Sequence, residues 1–348
     1  MTERRANSSE PSAGNPEPLT SAGHIPVLLD AVVDALAPRD DAVYVDGTFG
    51  GGGYSEALLE AAHCRVFGID RDPEAVRRGR ALAERHAGRL RILEGRFGDM
   101  AGLLAPVNTD PIAGITLDLG VSSTQLDTPE RGFSFRLDGP LDMRMGAAGQ
   151  SAADLVATLS ESDLVALIRT FGEERFARRI ARAIIVERQR RPIERTADLA
   201  EIVRAAIPQP EPRQHPATRT FQALRIAVND ELGELDRGLV AAEQLLAPGG
   251  RLAVVAFHSL EDRRVKEFLR QRSAAAPRAS RHQPVGPASV APTFTLLTRR
   301  AVRPSAAEIA CNPRARAARL RAAQRCASPP WPRNGGQRDT RRRGGSRG

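Results

Sequence analysis

The sequence predicts an open, doubly wound α/β sheet that carries an inserted helical subdomain. Between residues 43 and 118, four short apolar segments alternate with helical segments, and three of the four end at an aspartate. Such alternation is typical of parallel strands joined by crossover helices. From about residue 151 to 207 the apolar residues instead recur every three or four positions, which predicts consecutive helices without strands.

The predicted elements follow each other closely along the chain. Strands are expected at 43–45, 65–69, 90–93 and 112–117, with helices at 55–62 and from Pro73 to about residue 86. Proline suits the first position of a helix, where its missing N–H is not needed. After the insertion we expect a helix at 221–246, a Pro-Gly-Gly turn at 248–250, a strand at 251–257, a helix at 260–272, a Pro/Ala/Ser-rich loop at 273–291 and a last strand at 294–297.

This order of elements divides the 348 residues into regions. The main α/β domain is expected in two pieces, at 23–135 and 215–300, with the helical insertion at 136–214 between them. A basic C-terminal extension is expected at 301–327. The segments 1–22 and 328–348 lack apolar periodicity and are rich in Ser and Pro or in Gly and Arg, so both tails are expected to be disordered.

The net charge of +9 is concentrated at the C-terminal end. Residues from Arg299 onwards carry +12, whereas residues 1–298 carry −3. We therefore expect this end to bind a polyanion; the alternative is a compositional bias, because 50 of the 51 basic residues are arginine. Four arginines of the extension are spaced as one face of a helix: Arg314, Arg316, Arg319 and Arg321.

Apolar runs and cysteines exclude several classes of protein. The longest apolar run, 252–257, is far shorter than the ~20 residues that a membrane span needs. The segment 1–22 lacks the apolar stretch of a signal peptide, so we expect a cytoplasmic protein without membrane contact. The three cysteines are widely spaced and support neither a disulfide framework nor a zinc site, and no bound metal is expected.

A glycine-rich segment after the first strand carries the clearest binding signal. Residues 45–53 read VDGTFGGGG, and Asp70 ends the second strand. Glycines let a ligand approach the backbone amides, and an acid at the second strand suits the two hydroxyls of a ribose. Together they predict a site for a nucleoside-containing cofactor.

The kind of cofactor is narrowed by the residues around these glycines. They do not fit the G-x-G-x-x-G pattern of dinucleotide sites, and no P-loop lysine is present. Asp46, directly before the glycines, would repel a pyrophosphate but suits the cationic amino-acid end of S-adenosylmethionine. A methyltransferase is therefore favoured, and a nucleotide-dependent oxidoreductase is the alternative.

Further candidates lie where later strands end. Asp118 ends the fourth strand, where it would contact the cofactor or accept a proton or hydrogen bond from a nucleophilic substrate; the alternative is an N-cap. Arg131, Phe133 and Phe135 suit stacking on an unpaired base, although core packing is the alternative for the two phenylalanines. His258 follows a later strand and is either a cleft residue or a structural one.

Eight segments of the chain resemble one known family, the ribosomal RNA small subunit methyltransferase H family, also called MraW. They are HIPVLL at 24–29, DGTFGGGGYS at 46–55, GIDRDPEA at 68–75, LDLGVSSTQLD at 117–127, RGFSFRLDGPLDMRM at 131–145, RTFQALRIAVNDEL at 219–232, GGRLAVVAFHSLEDRRVK at 249–266 and NPRARAARLR at 312–321. The resemblance extends from about residue 24 to residue 325.

The resemblance implies the fold of class I S-adenosylmethionine-dependent methyltransferases. It implies methylation of the exocyclic N4 of a decoding-centre (P-site) cytidine in 16S rRNA, so the partner is the small ribosomal subunit and the insertion is the substrate-recognition subdomain. Carried over by motif, the cofactor-binding residues are Gly52, Gly53, Tyr54, Asp70, Phe97, Asp118 and Gln125. Tyr54 stands where many members have histidine, and Asp118 is also the candidate catalytic residue.

One absent motif keeps the mechanism open at this point. The Asp/Asn/Ser-Pro-Pro-aromatic motif of DNA amino-methyltransferases is absent, so no motif supports Asp118 as the group that holds the substrate amine. A non-catalytic ribosome-binding protein with a relict cofactor pocket is a third alternative. The sequence does not indicate the oligomeric state.

Overall fold

The computed structural model describes residues 26–209, 211, 215–273 and 291–332. The strands in this part of the chain are β1 (Val43–Asp46), β2 (Arg65–Asp70), β3 (Leu90–Glu94), β4 (Ile112–Asp118), β5 (Leu246–Ala256), β6 (Phe294–Leu296) and β7 (Arg319–Arg325). They form one sheet in the order β3-β2-β1-β4-β5-β7-β6.

The sheet is parallel from β3 to β5, and β7 runs antiparallel to both β5 and β6. The predicted open, doubly wound sheet is thereby confirmed. Chain order reverses between β1 and β4, and sheets of this kind bind ligands at the carboxyl ends of the strands at such a point. Asp46 and Asp118 are the last residues of these two strands.

Helices cover both faces of the sheet and form the insertion. In the described residues they are α1 (Leu29–Leu36), α2 (Gly53–Ala61), α3 (Pro73–Arg85), α4 (Met100–Leu104), α5 (Ser123–Asp127), α6 (Ala152–Thr158), α7 (Glu161–Gly172), α8 (Ala177–Arg188), α9 (Thr196–Ala206), α10 (Thr218–Asn229), α11 (Glu231–Leu245), α12 (Ser259–Ser273) and α13 (Ala306–Cys311). Short 3-10 turns lie at Phe97–Asp99, Pro129–Arg131 and Pro313–Ala317.

Local sequence explains where the helices near the site begin. Pro73 is the first residue of α3, and the Asp72 carboxylate caps that helix by accepting a hydrogen bond from the N–H of Glu74 at 3.0 Å. Ser122 caps α5 in a capping box with Gln125. These caps fix the chain just after β2 and just after β4.

Apolar residues form three cores. Along β1, Val43 and Val45 pack with α4, α11 and α12 on one face of the sheet, whereas Tyr44 packs with α1 and α2 on the other. The third core belongs to the helical insertion, where Leu164 of α7 and Ile180 of α8 are fully buried. The insertion thus has a core of its own.

The boundaries differ from the predicted ones in two places. The helix expected at 221–246 is two helices, because Asp230 adopts a left-handed conformation between α10 and α11. Phe221 and Leu224 of α10 pack in the core of the insertion, although the main domain was expected to resume at residue 215. Strand β5 starts at Leu246, before the expected turn, and its pairing with β4 is irregular there.

The expected helical face in the C-terminal extension is wrong. Arg319 and Arg321 lie on β7, a strand inside the main sheet, and both donate hydrogen bonds to the Asp262 carboxylate of α12, at 2.9 and 2.7 Å. Arg314 and Arg316 lie in a 3-10 turn. The stretch is a strand because Leu320 is buried between two arginines that share the opposite face, which is a period of two.

The predicted tails and the loop at 273–291 lie mostly outside the described residues. Residues 328–332 are described, however, and the indole N–H of Trp331 donates a hydrogen bond to the backbone oxygen of Ala291 at 3.0 Å. The predicted disorder from residue 328 onwards is therefore wrong for this short described stretch. No helix of the described part has the length and apolar character that crossing a bilayer requires.

Candidate active site

A cleft opens at the carboxyl edge of the sheet, beside the ends of β1, β2 and β4. Six of the seven residues predicted to bind the cofactor line it: Gly53, Tyr54, Asp70, Phe97, Asp118 and Gln125. Residues of α11, the β5–α12 junction and the 3-10 turn at Pro313–Ala317 complete the wall. The topology thus brings together groups from widely separated parts of the chain.

The remaining predicted residue, Gly52, shapes the loop from behind. It has a φ of 85°, and a Cβ there would lie 2.7 Å from the Phe49 ring. A Cβ on Gly53 would lie 2.2 Å from the side chain of Pro26. Both positions therefore require glycine, because side chains would push the loop away from its packing partners.

Asp70 links the end of β2 to the glycine loop. Its carboxylate accepts hydrogen bonds from the backbone N–H groups of Gly50 at 2.7 Å and Asp72 at 2.9 Å. Burial raises the pKa of Asp70, and these backbone hydrogen bonds oppose that rise. The carboxylate is held in the cleft wall with lone pairs left for the two hydroxyls of a ribose.

Tyr54 has a structural contact that the sequence did not indicate. Its buried phenol donates a hydrogen bond to the backbone oxygen of Val27 and so fastens the segment before α1 to α2. Burial and the nearby Asp118 charge raise the pKa of Tyr54 well above its usual range, so the phenol is neutral.

Asp118 is a buried acid with one carboxylate oxygen that accepts no hydrogen bond from the described residues. Its backbone N–H donates a hydrogen bond to the Thr48 hydroxyl at 2.6 Å, yet the carboxylate Oδ1 has no partner among the described residues. Burial, then the nearby charges of Asp46 and Glu261, raise its pKa well above the usual range. The N-cap alternative is wrong, because Ser122 caps the following helix.

Asp46 lies below the cleft and does not line it. Its fully buried carboxylate accepts hydrogen bonds from the Ser55 hydroxyl at 2.8 Å and the Thr48 N–H at 3.3 Å. Burial raises its pKa to about 6, and the Ser55 hydrogen bond limits the rise. The expectation that Asp46 itself holds the cationic end of the cofactor is therefore unsupported, and Asp118 is the acid that faces that space.

Gln125 and Arg131 support the cleft wall together. Both donate hydrogen bonds to the same oxygen of the buried Asp72, at 2.9 Å each. Phe133 is buried in the core of the insertion, and Phe135 stacks on His215 at 4.3 Å. The core-packing alternative therefore holds for Phe133, and Phe135 is partly buried against the same core.

Phe97 and Glu234 form one part of the cleft wall. The sequence predicted Phe97 as a site residue but not Glu234. The Phe97 ring packs so tightly on α11 that a Cβ on Gly238 would lie 2.5 Å from it. Glu234 is nearly fully buried and accepts hydrogen bonds from Arg71 at 3.2 Å and Arg96 at 3.4 Å. No local pattern points to Glu234, because its arginine partners follow β2 and β3, in a distant part of the chain.

His258 does not line the cleft, but it contacts a residue that does. Its Nε2 lies 3.0 Å from Oε1 of Glu261, whose other oxygen accepts the backbone N–H groups of Phe257 and His258. Burial alone would raise the pKa of Glu261, but His258 and Arg225 bring it below its usual range. The structural interpretation of His258 is thereby favoured.

Glu231, His258 and Glu261 offer ligand atoms within 4.8 Å of one another. Glu231, however, already makes a two-pronged ion pair with the Arg225 guanidinium, at 2.8 Å for both hydrogen bonds. The Arg225 guanidinium therefore already occupies the Glu231 oxygens that a metal ion would need.

The cleft meets the demands of S-adenosylmethionine at both of its ends. Asp70 offers acceptors for a ribose, and Phe97 offers an aromatic surface for an adenine. Asp118 lines the cleft, and its carboxylate offers an acceptor for a cationic or amine donor. Its buried Oδ1 has no partner among the described residues, and a buried carboxylate oxygen without a partner is costly, which points to a polar group of a ligand near it.

Comparisons with known proteins agree with this geometry. The sequence pattern of the MraW methylase family matches residues 21–326. A protein of Rhodospirillum centenum named ribosomal RNA small subunit methyltransferase H is 64% identical over 306 residues, which cover 88% of this chain and 93% of that protein. Proteins of the same name from Paramagnetospirillum magneticum and Parvibaculum lavamentivorans are 60% identical over 309 residues and 56% identical over 314 residues. These alignments cover 88% and 90% of this chain and 97% and 92% of the relatives.

Proposed function

Because the chain belongs to the MraW methylase family, we propose that it methylates the exocyclic N4 of a decoding-centre (P-site) cytidine in 16S rRNA. The protein is a methyltransferase with the sheet of class I enzymes, and S-adenosyl-L-methionine is its cofactor. The name that its relatives share supports RNA of the small ribosomal subunit as the substrate. Such a substrate is met in the cytoplasm, where ribosomes assemble.

The observation that carries the proposal is that Asp118 lines the cleft and that its buried Oδ1 has no partner among the described residues. An exocyclic amine has two N–H groups, and a carboxylate that accepts one of them orients the nitrogen without blocking its lone pair. Methylation of a cytosine at C5 instead requires a nucleophile of the enzyme, such as a cysteine thiolate, that adds to the cytosine ring. No cysteine lines the described cleft, which favours the exocyclic nitrogen.

Each residue of the cleft then has a defined task. When bound, S-adenosyl-L-methionine supplies a methyl group activated by a sulfonium charge. Asp70 orients the ribose, and Phe97 provides the apolar contact for the base. Asp118 holds the substrate amine in line with the methyl carbon and accepts the proton that the nitrogen loses after transfer.

The buried acids around Asp118 favour a cationic ligand. Asp46 and Glu261 both raise the pKa of Asp118, because each places negative charge near it in a poorly solvated region. The same negative potential stabilises a sulfonium group. It disfavours a dinucleotide, whose pyrophosphate is anionic, so the structure gives no support to the oxidoreductase alternative.

The proposal is tested by transfer of a deuterated methyl group from the cofactor to small ribosomal subunits that lack the modification. After digestion to nucleosides, mass spectrometry with synthetic standards separates N4-methylcytidine from 5-methylcytidine and 2′-O-methylcytidine. We expect the label in an N4-methylated cytidine. Label in either of the other two products, or none, would refute the proposal.

A further inference from the structure

We propose that three exposed arginines of α8 form a docking surface for the sugar-phosphate backbone of the RNA substrate. The residues are Arg178, Arg179 and Arg182, which we call the α8 arginine face. The inference rests on the proposed function, and it goes further by naming the surface that holds the RNA around the target nucleotide.

The packing of α8 directs these arginines away from the protein. Ile180 and Ile184 are fully buried in the core of the insertion. Arg178 and Arg182 are four residues apart and therefore share one face of the helix, about 6 Å apart along its axis. Arg179 lies beside them, and all three are exposed.

The positive charge of the α8 arginine face is not balanced by the protein. In the described residues none of the three arginines makes an ion pair or a side-chain hydrogen bond. The nearest acids along the chain have other partners: Glu174 is buried and accepts the backbone N–H of Phe176 at 2.8 Å, and Glu187 pairs with Arg191 at 2.9 Å. A surface of three free guanidinium groups suits phosphate oxygens, which match their planar arrays of donors.

Three arginines of the C-terminal extension differ in this respect. Arg319 and Arg321 are held by Asp262, and Arg314 is held by Asp127 at 2.5 Å. Each of the three already has an acidic partner, and moving one of them to an RNA phosphate would break its ion pair. The observed contacts therefore favour α8 over these three arginines as the RNA-binding surface.

Hydrogen bonds to α12 hold the segment before α8 close to the cleft. Glu173, which follows α7, accepts hydrogen bonds from the Ser259 hydroxyl and from Arg263 at 3.0 Å. Ser259 begins α12 two residues after Phe257, which lines the cleft. Arg178 follows Glu173 by five residues and is thus no more than about 18 Å from it. RNA with its target nucleotide in the cleft therefore passes within reach of α8.

The test replaces all three arginines by glutamine, which keeps helix propensity but removes the charge. A matched control replaces Arg77, Arg80 and Arg85 of α3 by glutamine. Those arginines are exposed and each lies 3.7 Å from an acid, so the control loses the same net charge from a surface that is balanced. Binding to unmodified small subunits and to protein-free 16S rRNA is measured over a range of salt concentrations, with unfolding temperature and cofactor affinity measured alongside.

We expect the α8 variant to bind both RNA probes more weakly, with the slope of log affinity against log salt reduced by about 2 to 3, since each phosphate contact contributes about 0.7 to 0.9. Its cofactor affinity and unfolding temperature should match the wild type, and the α3 control should keep the wild-type slope. Equal loss in both variants would show a net-charge effect only and would overturn the proposal. Loss for intact subunits but not for protein-free rRNA would overturn it too, because it would show that a ribosomal protein is the partner.

The proposed function can fail separately from this inference. If the wild-type protein methylates a different atom of the RNA while the α8 variant still loses RNA affinity, only the assignment to cytidine N4 is wrong. If N4-methylcytidine forms and the α8 variant binds RNA as the wild type does, only the docking surface is wrong.

Discussion

The Asp70 carboxylate accepts a hydrogen bond from the backbone N–H of Gly50 at 2.7 Å. The acid at the end of β2 thus holds the glycine loop after β1 in place, in addition to lining the cleft. The two strongest binding signals of the sequence are parts of one structural unit. A change at Asp70 therefore affects the ligand contact and the shape of the loop together.

Replacing Asp70 by alanine should weaken S-adenosylmethionine binding by about 2–3 kcal/mol, because buried donors lose a charged acceptor. Asp70→Asn should also weaken it, since the new amide NH₂ would face the N–H of Gly50 or Asp72. Titration calorimetry measures the affinity, and thermal unfolding checks that the fold remains. Tight binding of NADH with no binding of S-adenosylmethionine would contradict the cofactor assignment.

Asp118→Asn should lower the rate of methyl transfer more than it lowers cofactor affinity. An amide oxygen can still accept a hydrogen bond from the substrate amine, but it cannot take up the proton that the amine loses. Single-turnover rates at saturating cofactor give the transfer step, and equilibrium titration gives the affinity. A variant with reduced affinity and an unchanged saturated rate would assign Asp118 to cofactor binding alone.

The buried Asp46 should make stability depend on pH. Its pKa in the folded protein is about 6, above the usual value of 3.8, so the folded state binds this proton more tightly than the unfolded state. The resulting stabilisation is complete below about pH 4 and is lost as the pH rises through 6, in total about 3 kcal/mol at 1.36 kcal/mol per pKa unit.

Urea unfolding of the wild type and of Asp46→Asn, at several pH values from 4.5 to 7.5, measures this effect. The free energy of unfolding of the wild type should fall relative to that of the variant across this range. A difference between the two proteins that stays constant with pH would show that Asp46 does not titrate there.

Arg321→Ala should destabilise the fold, because Arg321 and Asp262 are both nearly buried and form an ion pair at 2.7 Å. Removing Arg321 takes two of the three arginine hydrogen bonds from the buried Asp262 and leaves Arg319 as its remaining partner, which should cost about 1–3 kcal/mol. Chemical denaturation measures the loss, with the exposed Arg316→Ala as control. A stable variant that has lost RNA affinity would instead show that the C-terminal arginines bind RNA directly.

The parts of the fold that the sequence predicted are those with strong local patterns. Strands that end at Asp46, Asp70 and Asp118 follow short apolar runs, and Pro73 marks the start of its helix. Strand β7 was missed because its sequence, RLRAAQR, contains no β-branched or aromatic residue. Its pairing with β5 connects segments that are far apart in the chain, so only the assembled sheet reveals it.

The candidate site was predictable to a similar extent. Asp70 and Asp118 were found from their positions at strand ends, and the structure brings both to one cleft. The free oxygen of Asp118 and the ion pairs of Glu234 depend on contacts between distant segments, which no local pattern encodes. The roles of Asp46 and Arg319 were misjudged for the same reason. The Asp46 carboxylate accepts a hydrogen bond from Ser55, and Arg319 donates one to Asp262, and neither contact follows from the local sequence.

We propose that this protein methylates N4 of a decoding-centre cytidine in 16S rRNA. The most direct test is mass mapping of methylated nucleotides in 16S rRNA from cells with the gene, without it, and with a restored copy. We expect that one N4-methyl group on a decoding-centre cytidine disappears without the gene and returns with the restored copy. An unchanged methylation pattern, or loss of a methyl group from another atom or another region of the RNA, would contradict it.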